Sequence, residues 1–444
     1  MRAPLRYNPL APVAIMVCAG FFMGVALFVV VSAEDVSARA LSQEELDERI
    51  ERDKERRRKR QERQKEKGTT LQKKVTLTVP IGILVLEKDI PPALSNLDPI
   101  IQREGFDGAR LAIEDNLTTG RFIGHDYSLE KVFVGKDEDP VAAFLELAQK
   151  TNYIIVAVPK ELLLQLADLP QSQSLILFNI AAQDDSLRNE ACRDNVFHII
   201  PSRAMRADAL AQFLLRKRWT KWFVIRGVAP EDDAFVAALQ RAANTFGINI
   251  VEEKTWDKIA DIRRTAKAEV PLFTKTAPQH DVMILADEQG LFGEFILWHS
   301  WQPRLVAGTQ GLRAVSWHRN HERWGAIQMQ SRFRRQTRRW MGEWDYGAWV
   351  AVRAIGETIT RIQKDKPKDV KDYLRSDAFA IAAYKGIKVT FRPWNGQLRQ
   401  RILLSAPRSM VSVAPQEGFL HPRTPLDTLG YDRPASTCNL NPQE

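Results

Sequence analysis

"RADALAQFLLRKRWTKWFVIRGVAPEDDAFVAALQRAANTFGINIVEEKTW", Arg206–Trp256, alternates two helices with two strands. Apolar residues in "RADALAQFLLRKR" recur at helical spacing, which predicts an amphipathic helix. "KWFVIRG" is a short apolar strand closed by glycine. "EDDAFVAALQRAANTFG" opens on acidic residues and ends on Gly247, as helix electrostatics and C-capping favour. "INIVEEKTW" then returns as a strand. The same alternation runs outward in both directions. Upstream lie a strand in "VTLTVPIGILVL" (75–86), a helix over 98–119, a strand over 127–134, the capped helix "DPVAAFLELAQK", the buried strand "YIIVAV", the helix "KELLLQLADL" and the strand "SLILFNI". Asn116 and Gly120 carry stop chemistry for the helix over 98–119. Downstream, "DVMILAD", "EFILWHSW" and "RLVAGT" read as further strands. Short apolar strands between amphipathic helices mean parallel sheets covered on both faces. The fold class is α/β, doubly wound, in two lobes.

The first 33 residues place Arg2 and Arg6 before an apolar block from Ala11 to Val31, then "VSA". Small residues at the −3 and −1 positions suit signal peptidase, so cleavage after Ala33 is expected. The block is also long enough to span a bilayer, which leaves an uncleaved anchor as the alternative. Either way the arginines stay inside and the chain is exported. Export agrees with the cysteines. Cys18 belongs to the leader, and Cys192 and Cys438 remain to form a disulfide in an oxidising compartment. That bridge would pin the proline-rich tail, 416–444, to the rim of lobe one, away from the cleft opening.

The formal net charge is +9, and residues 48–74 alone carry +7. The basic character is therefore concentrated in residues 48–74 of a stalk over 34–74, a solvated helical or disordered segment, and not spread over the folded body. An exported chain does not meet nucleic acid. Attraction to anionic lipid headgroups, or use as a spacer, suits this stalk. About 370 residues remain, enough for two domains with cores.

In doubly wound sheets, ligands sit beyond the carboxyl ends of strands. Those ends read "LVLEKD", "VAVPKE", "LFNIAAQDD", "VIRGVAPEDD", "ILADEQG" and "VAGTQG". None is a phosphate loop, and neither a GxSxG elbow nor an HExxH pair occurs. His318, His321 and Glu322 have spacing open to a metal, but Arg319 and Arg323 oppose a cation. Neither catalysis nor a cofactor is called for.

At these residues the chain resembles the periplasmic solute-binding proteins of the leucine/isoleucine/valine type. The likeness is carried by "GARLAIEDN", "HIIPSRAMRADALAQFL", "WTKWFVIRG…EDDAFVAALQRAANTFGINIVEE" and "EWDYGAWVAVRAIGETITR", in order over 75–405. The block "FRPWNGQLRQRILL…VSVAPQEGFLHPRTPLDTLGYDRPASTC" resembles the branch encoded with PQQ-dependent alcohol dehydrogenase systems. The resemblance implies two Rossmann-like lobes joined by three crossovers, with lobe one at 75–201 and 329–374 and lobe two at 202–328 and 375–415. It implies a small solute bound by lobe closure and an ABC transporter permease as partner, or, with an uncleaved anchor, a membrane-tethered sensor of the same fold. Carried onto this sequence, the ligand positions are Glu87, Lys160, Asn179, Ala181, Arg226, Asp287, Glu288 and Gln310. The hydroxyls that hold an amino-acid carboxylate in this family are missing from Pro159-Lys160-Glu161 and Asn179-Ile180-Ala181-Ala182. Lys160 and Arg226 suit an acidic or oxygen-rich ligand instead.

Overall fold

The computed structural model describes residues 74–88 and 100–440, with Glu51, Glu55, Arg58 and Lys59. The leader assigned to 1–33 and nearly all of the stalk lie outside the described residues. Two open sheets organise the rest. In the first, β1 (Leu77–Leu86), β2 (His125–Val134), β3 (Tyr153–Ala157), β4 (Ile176–Asn179) and β5 (Val196–His198) run parallel in the order β2-β1-β3-β4-β5. In the second, the parallel strands β6 (Lys221–Arg226), β7 (Asn249–Thr255), β8 (Val282–Ala286), β9 (Leu305–Gly308) and β10 (Leu312–Val315) lie beside a late antiparallel pair. All five residues of β3 and of β8 are buried. Each sheet packs helices on both faces, so its central strands carry continuous apolar runs.

The first lobe is covered by α1 (Phe106–Ile123), α2 (Pro140–Ala148) and α3 (Lys160–Ala167), and the second by α4 (Arg203–Arg216), α5 (Pro230–Phe246), α6 (Ile262–Lys275) and α7 (Gly293–His299). The chain then returns to lobe one through α8 (Ala326–Thr337), α9 (Glu343–Ile362) and α10 (Pro367–Arg375). A small antiparallel sheet follows, of β11 (Ile381–Ala382), β12 (Lys388–Phe391) and β13 (Leu398–Arg399). Its Ile381, Val389, Phe391 and Leu398 belong to the first core. The chain therefore rejoins the second sheet only at β14 (Ile402–Ala406) and β15 (Ser409–Ala414), later than the boundary expected near 375.

Three local expectations change. α1 continues past Gly120 and ends at Gly124, whose left-handed backbone (φ 84°) closes the helix on the Gly120 carbonyl. Gly120 lies inside the helix, and the position requires glycine because a Cβ there would overlap the His125 carbonyl. Asn116 does not stop the helix either: its side chain donates to the Val352 carbonyl of α9 at 2.9 Å. "EFILWHSW" is mostly helix α7, because Asp287 caps its amides. Short apolar runs do not separate strand from helix by periodicity.

α1 and α9 cross with almost no space between their backbones. A Cβ at Gly108 would overlap the Asp345 carbonyl oxygen, and neither backbone can give way cheaply. Gly108→Ala is therefore expected to cost about 1–3 kcal/mol, measured by urea unfolding. A change within about 0.5 kcal/mol, the range of an ordinary surface substitution, would show that the crossing relaxes freely.

Cys192 and Cys438 form the expected disulfide, with Cα atoms 6.0 Å apart. The tail is not confined to lobe one. Gly430 donates to Asp208 of α4 at 2.7 Å and accepts from Arg241 of α5 at 2.8 Å. Further along, Ser436 donates to the Arg188 carbonyl of lobe one at 3.1 Å. The tail thus touches both lobes before the bridge anchors it.

Candidate ligand-binding cleft

Beyond the carboxyl ends of β8 and β9 lies a cavity of about 310 Å³. Lobe two supplies Asp287, Glu288, Gln310 and Arg313, and α4 supplies Arg206. Gln183, in the loop after β4, and Glu343, at the start of α9, face them from lobe one. Clefts of this size between lobes suit a small polar molecule.

Two ion-pair chains cross the cleft. Arg203 donates to both Glu288 carboxylate oxygens, at 2.7 and 2.8 Å, and to Asp184 of lobe one at 2.9 Å. Burial disfavours the Arg203 charge, but Glu288 and Asp184 outweigh it and hold the guanidinium above its usual range. Arg206 donates to Glu343 at 2.8 Å and to the Ala314 carbonyl at 2.7 Å. Burial would push the Glu343 carboxyl up, yet Arg206 and the Ser316 amide keep it below the usual carboxylate value. These pairs hold lobe to lobe at the cavity wall.

Asp287 faces inward, 1% exposed, and accepts from the amides of Leu291, Phe292 and Gly293 at 2.7–2.9 Å. A carboxylate there stabilises the start of α7 and completes its capping. Gln310 donates to the Asp287 carbonyl at 2.9 Å, which locks the two strand-end loops together. Beside them, burial pushes the Asp232 carboxyl up to about 6, opposed by the Glu288 amide and reinforced by Asp287.

The cavity therefore brings together Asp287, Glu288 and Gln310 of the eight expected positions. The other five are not among its lining residues. Glu87 accepts from the Lys136 amide at 3.1 Å. Lys160 opens α3 beside Glu161, 3.6 Å away. Asn179 is fully buried, and its side chain braces its own loop through Ala181, Ala182 and His198. Arg226 is ion-paired with Asp233 and Glu253. His318 and His321 do not converge on a metal: the His321 ring lies 2.8 Å from the Tyr384 carbonyl, and no metal-holding cluster occurs among the described residues.

Arg203, Arg206, Arg313 and Glu343 escaped the reading of strand ends. Arg203 and Arg206 sit one helical turn apart at the start of α4, the one signal that marks them in sequence. Arg313 is exposed on the cavity wall, and among the described residues it forms no ion pair.

The sequence pattern of the periplasmic binding protein family matches residues 135–405. No curated protein matches the chain. Among solved structures, a branched chain amino acid ABC transporter periplasmic ligand-binding protein from Burkholderia xenovorans LB400 is similar at 17% identity and TM-score 0.64, over 81% of this chain and 99% of that one. A solute binding protein of an ABC transporter from R. palustris, in complex with benzoate, is similar at 12% identity and TM-score 0.57, over 81% and 99%. The closed conformation of a leucine-, isoleucine-, valine-, threonine- and alanine-binding protein from Brucella ovis is similar at 11% and 0.56, over 76% and 93%. At these identities the likeness is one of fold, and the two-lobed parallel architecture is what they share. Since the family pattern covers well over half of its length, the chain belongs to the periplasmic binding protein family.

Proposed function

We propose that the chain is the solute-binding subunit of an ABC transporter, exported by its first 33 residues and handing a small polar solute to a permease. The observation that carries this reading is the cleft cavity walled from both lobes, by Gln183 and Glu343 on one side and Glu288, Gln310 and Arg313 on the other. A solute there is enclosed when the lobes close, and the closed pair offers the permease a different face from the open one. The lining mixes carboxylates, carboxamides and guanidiniums, which suits an oxygen-rich solute more than an aliphatic one. The C-terminal block supports the finer reading, that the solute belongs to an alcohol-oxidation system of the PQQ-dependent kind. A periplasmic location follows from the family.

Native mass spectrometry of protein purified from its own periplasm identifies the solute. Arg313→Ala then tests the site. Removing an exposed guanidinium leaves the cores intact, so the melting temperature stays unchanged while affinity falls by about 1.5–3 kcal/mol. Wild-type affinity in this variant would place the solute elsewhere.

A further inference from the structure

The exposed face of α8 carries a feature that solute binding does not use. From Arg323 to Gly342 the sequence holds six arginines and no carboxylate. α8 buries Ala326, Met329, Gln330 and Phe333 against lobe one. Ile327, Ser331, Arg334 and Arg338 therefore line one exposed stripe, with Gln328 and Arg335 beside it. Arg332 is ion-paired with Asp115, and Arg339 with Asp107 and Asp345. Arg323, Arg334, Arg335 and Arg338 form no ion pair among the described residues.

A half-exposed tryptophan stands at each end of the stripe. Trp324 precedes the helix and Trp340 follows it, 39% and 42% exposed. Arginines brace both rings: Arg334 lies 4.6 Å from the Trp340 ring centre and Arg401 lies 5.1 Å from that of Trp324. The rest of the folded body is close to charge balance, so this is a local field and not a general one.

We propose that the α8 face docks the folded body onto an anionic phospholipid surface. Guanidiniums pair with phosphate in bidentate fashion, and each basic group near such a surface adds about 1 kcal/mol of attraction. Tryptophan prefers the headgroup level, where an apolar ring and a polar N–H are both accommodated. Ile327, 51% exposed between the two rings, adds apolar contact at the same level. An acidic protein surface also accommodates arginine beside tryptophan, and the vesicle test separates it from lipid.

The test uses the full chain, with its basic stalk intact, on vesicles of phosphatidylglycerol and of phosphatidylcholine. Phosphatidylglycerol vesicles are expected to slow amide exchange across 326–340, in a salt-sensitive way, and phosphatidylcholine vesicles to leave it unchanged. The triple variant Arg334→Gln, Arg335→Gln, Arg338→Gln should abolish that protection and weaken vesicle binding by roughly a hundredfold, with solute binding and melting temperature preserved. Vesicle binding without protection of α8, or binding indifferent to the triple variant, would assign the contact to the stalk and overturn the proposal. So would absence of vesicle binding, or dependence on the stripe only for association with the permease in detergent.

Discussion

Asp427→Ala is expected to lower folding stability by about 3–5 kcal/mol, the cost of leaving a buried charge without its partner. Asp427 sits in the tail, 4% exposed, and accepts from Arg392 at 2.8 Å and from Arg399 at 2.8 and 3.1 Å. Arg392 itself is 2% exposed, and its other N–H groups donate to the Leu426, Leu429 and Tyr431 carbonyls. Both guanidiniums lie over the Trp394 ring, which offers no second carboxylate. Without Asp427 the two cations stay buried together, and the tail loses its central attachment.

The pH dependence has a definite sign. Burial alone would raise the Asp427 carboxyl, but Arg392 and Arg399 outweigh it and hold it below the usual carboxylate range. A depressed carboxylate contributes stability that is fully present above its unfolded value, near 4, and is lost as pH falls through the lower folded value. The gap between wild type and Asp427→Ala should therefore be widest at neutral pH and narrow in acid. Urea unfolding at a series of pH values measures it. A gap below about 1 kcal/mol at pH 7 would show that the tail is an accessory and not part of the fold.

Replacing both Cys192 and Cys438 by serine should cost about 2–5 kcal/mol. The bridged residues are 246 positions apart. The chain-entropy account of so long a loop reaches roughly 5 kcal/mol, with the enthalpic part model-dependent. The loss should also be ordered along the tail. Beyond the bridge, residues 436–440 hold on through the Ser436 hydroxyl on the Arg188 carbonyl and the Leu440 amide on the Trp394 carbonyl at 3.0 Å. Residues 427–431 keep Arg392, Asp208 and Arg241. Limited proteolysis under a dithiol reductant should therefore cut after 432 first, then within 416–431, and reach the lobes last. Simultaneous cleavage of tail and lobes would contradict this order, and two free thiols in protein from the periplasm would remove its basis.

Much of this architecture follows from local physics. The continuous apolar runs of β3 and β8 have one low-energy home, a strand with helices on both faces. The acidic start of α5 and its left-handed Gly247 mark a helix in one dimension as well as in three. The cysteine pair was legible because an oxidising compartment leaves two thiols one good partner each. Where propensity is ambiguous, a group just outside the element decided. The Asp287 carboxylate caps the start of α7, and Gly120 inside α1 answers the close approach of the next strand rather than a helix stop.

The composition of the cleft belongs to the tertiary structure alone. Arg203 meets Glu288 across 85 residues and Arg206 meets Glu343 across 137. No pattern of period 2 or 3.6 encodes such a pairing, since each partner lies on its own element at a place set by the packing of others. Asn179 and Arg226 stand at strand ends, as the fold requires of site residues, yet neighbouring groups had already satisfied them. Sequence by itself determined that there are two sheets built on parallel strands and that the tail is stapled. Which charges line the cleft, and that the tail reaches both lobes, only the tertiary structure decided, because burial and pairing are properties of neighbours in space and not along the chain.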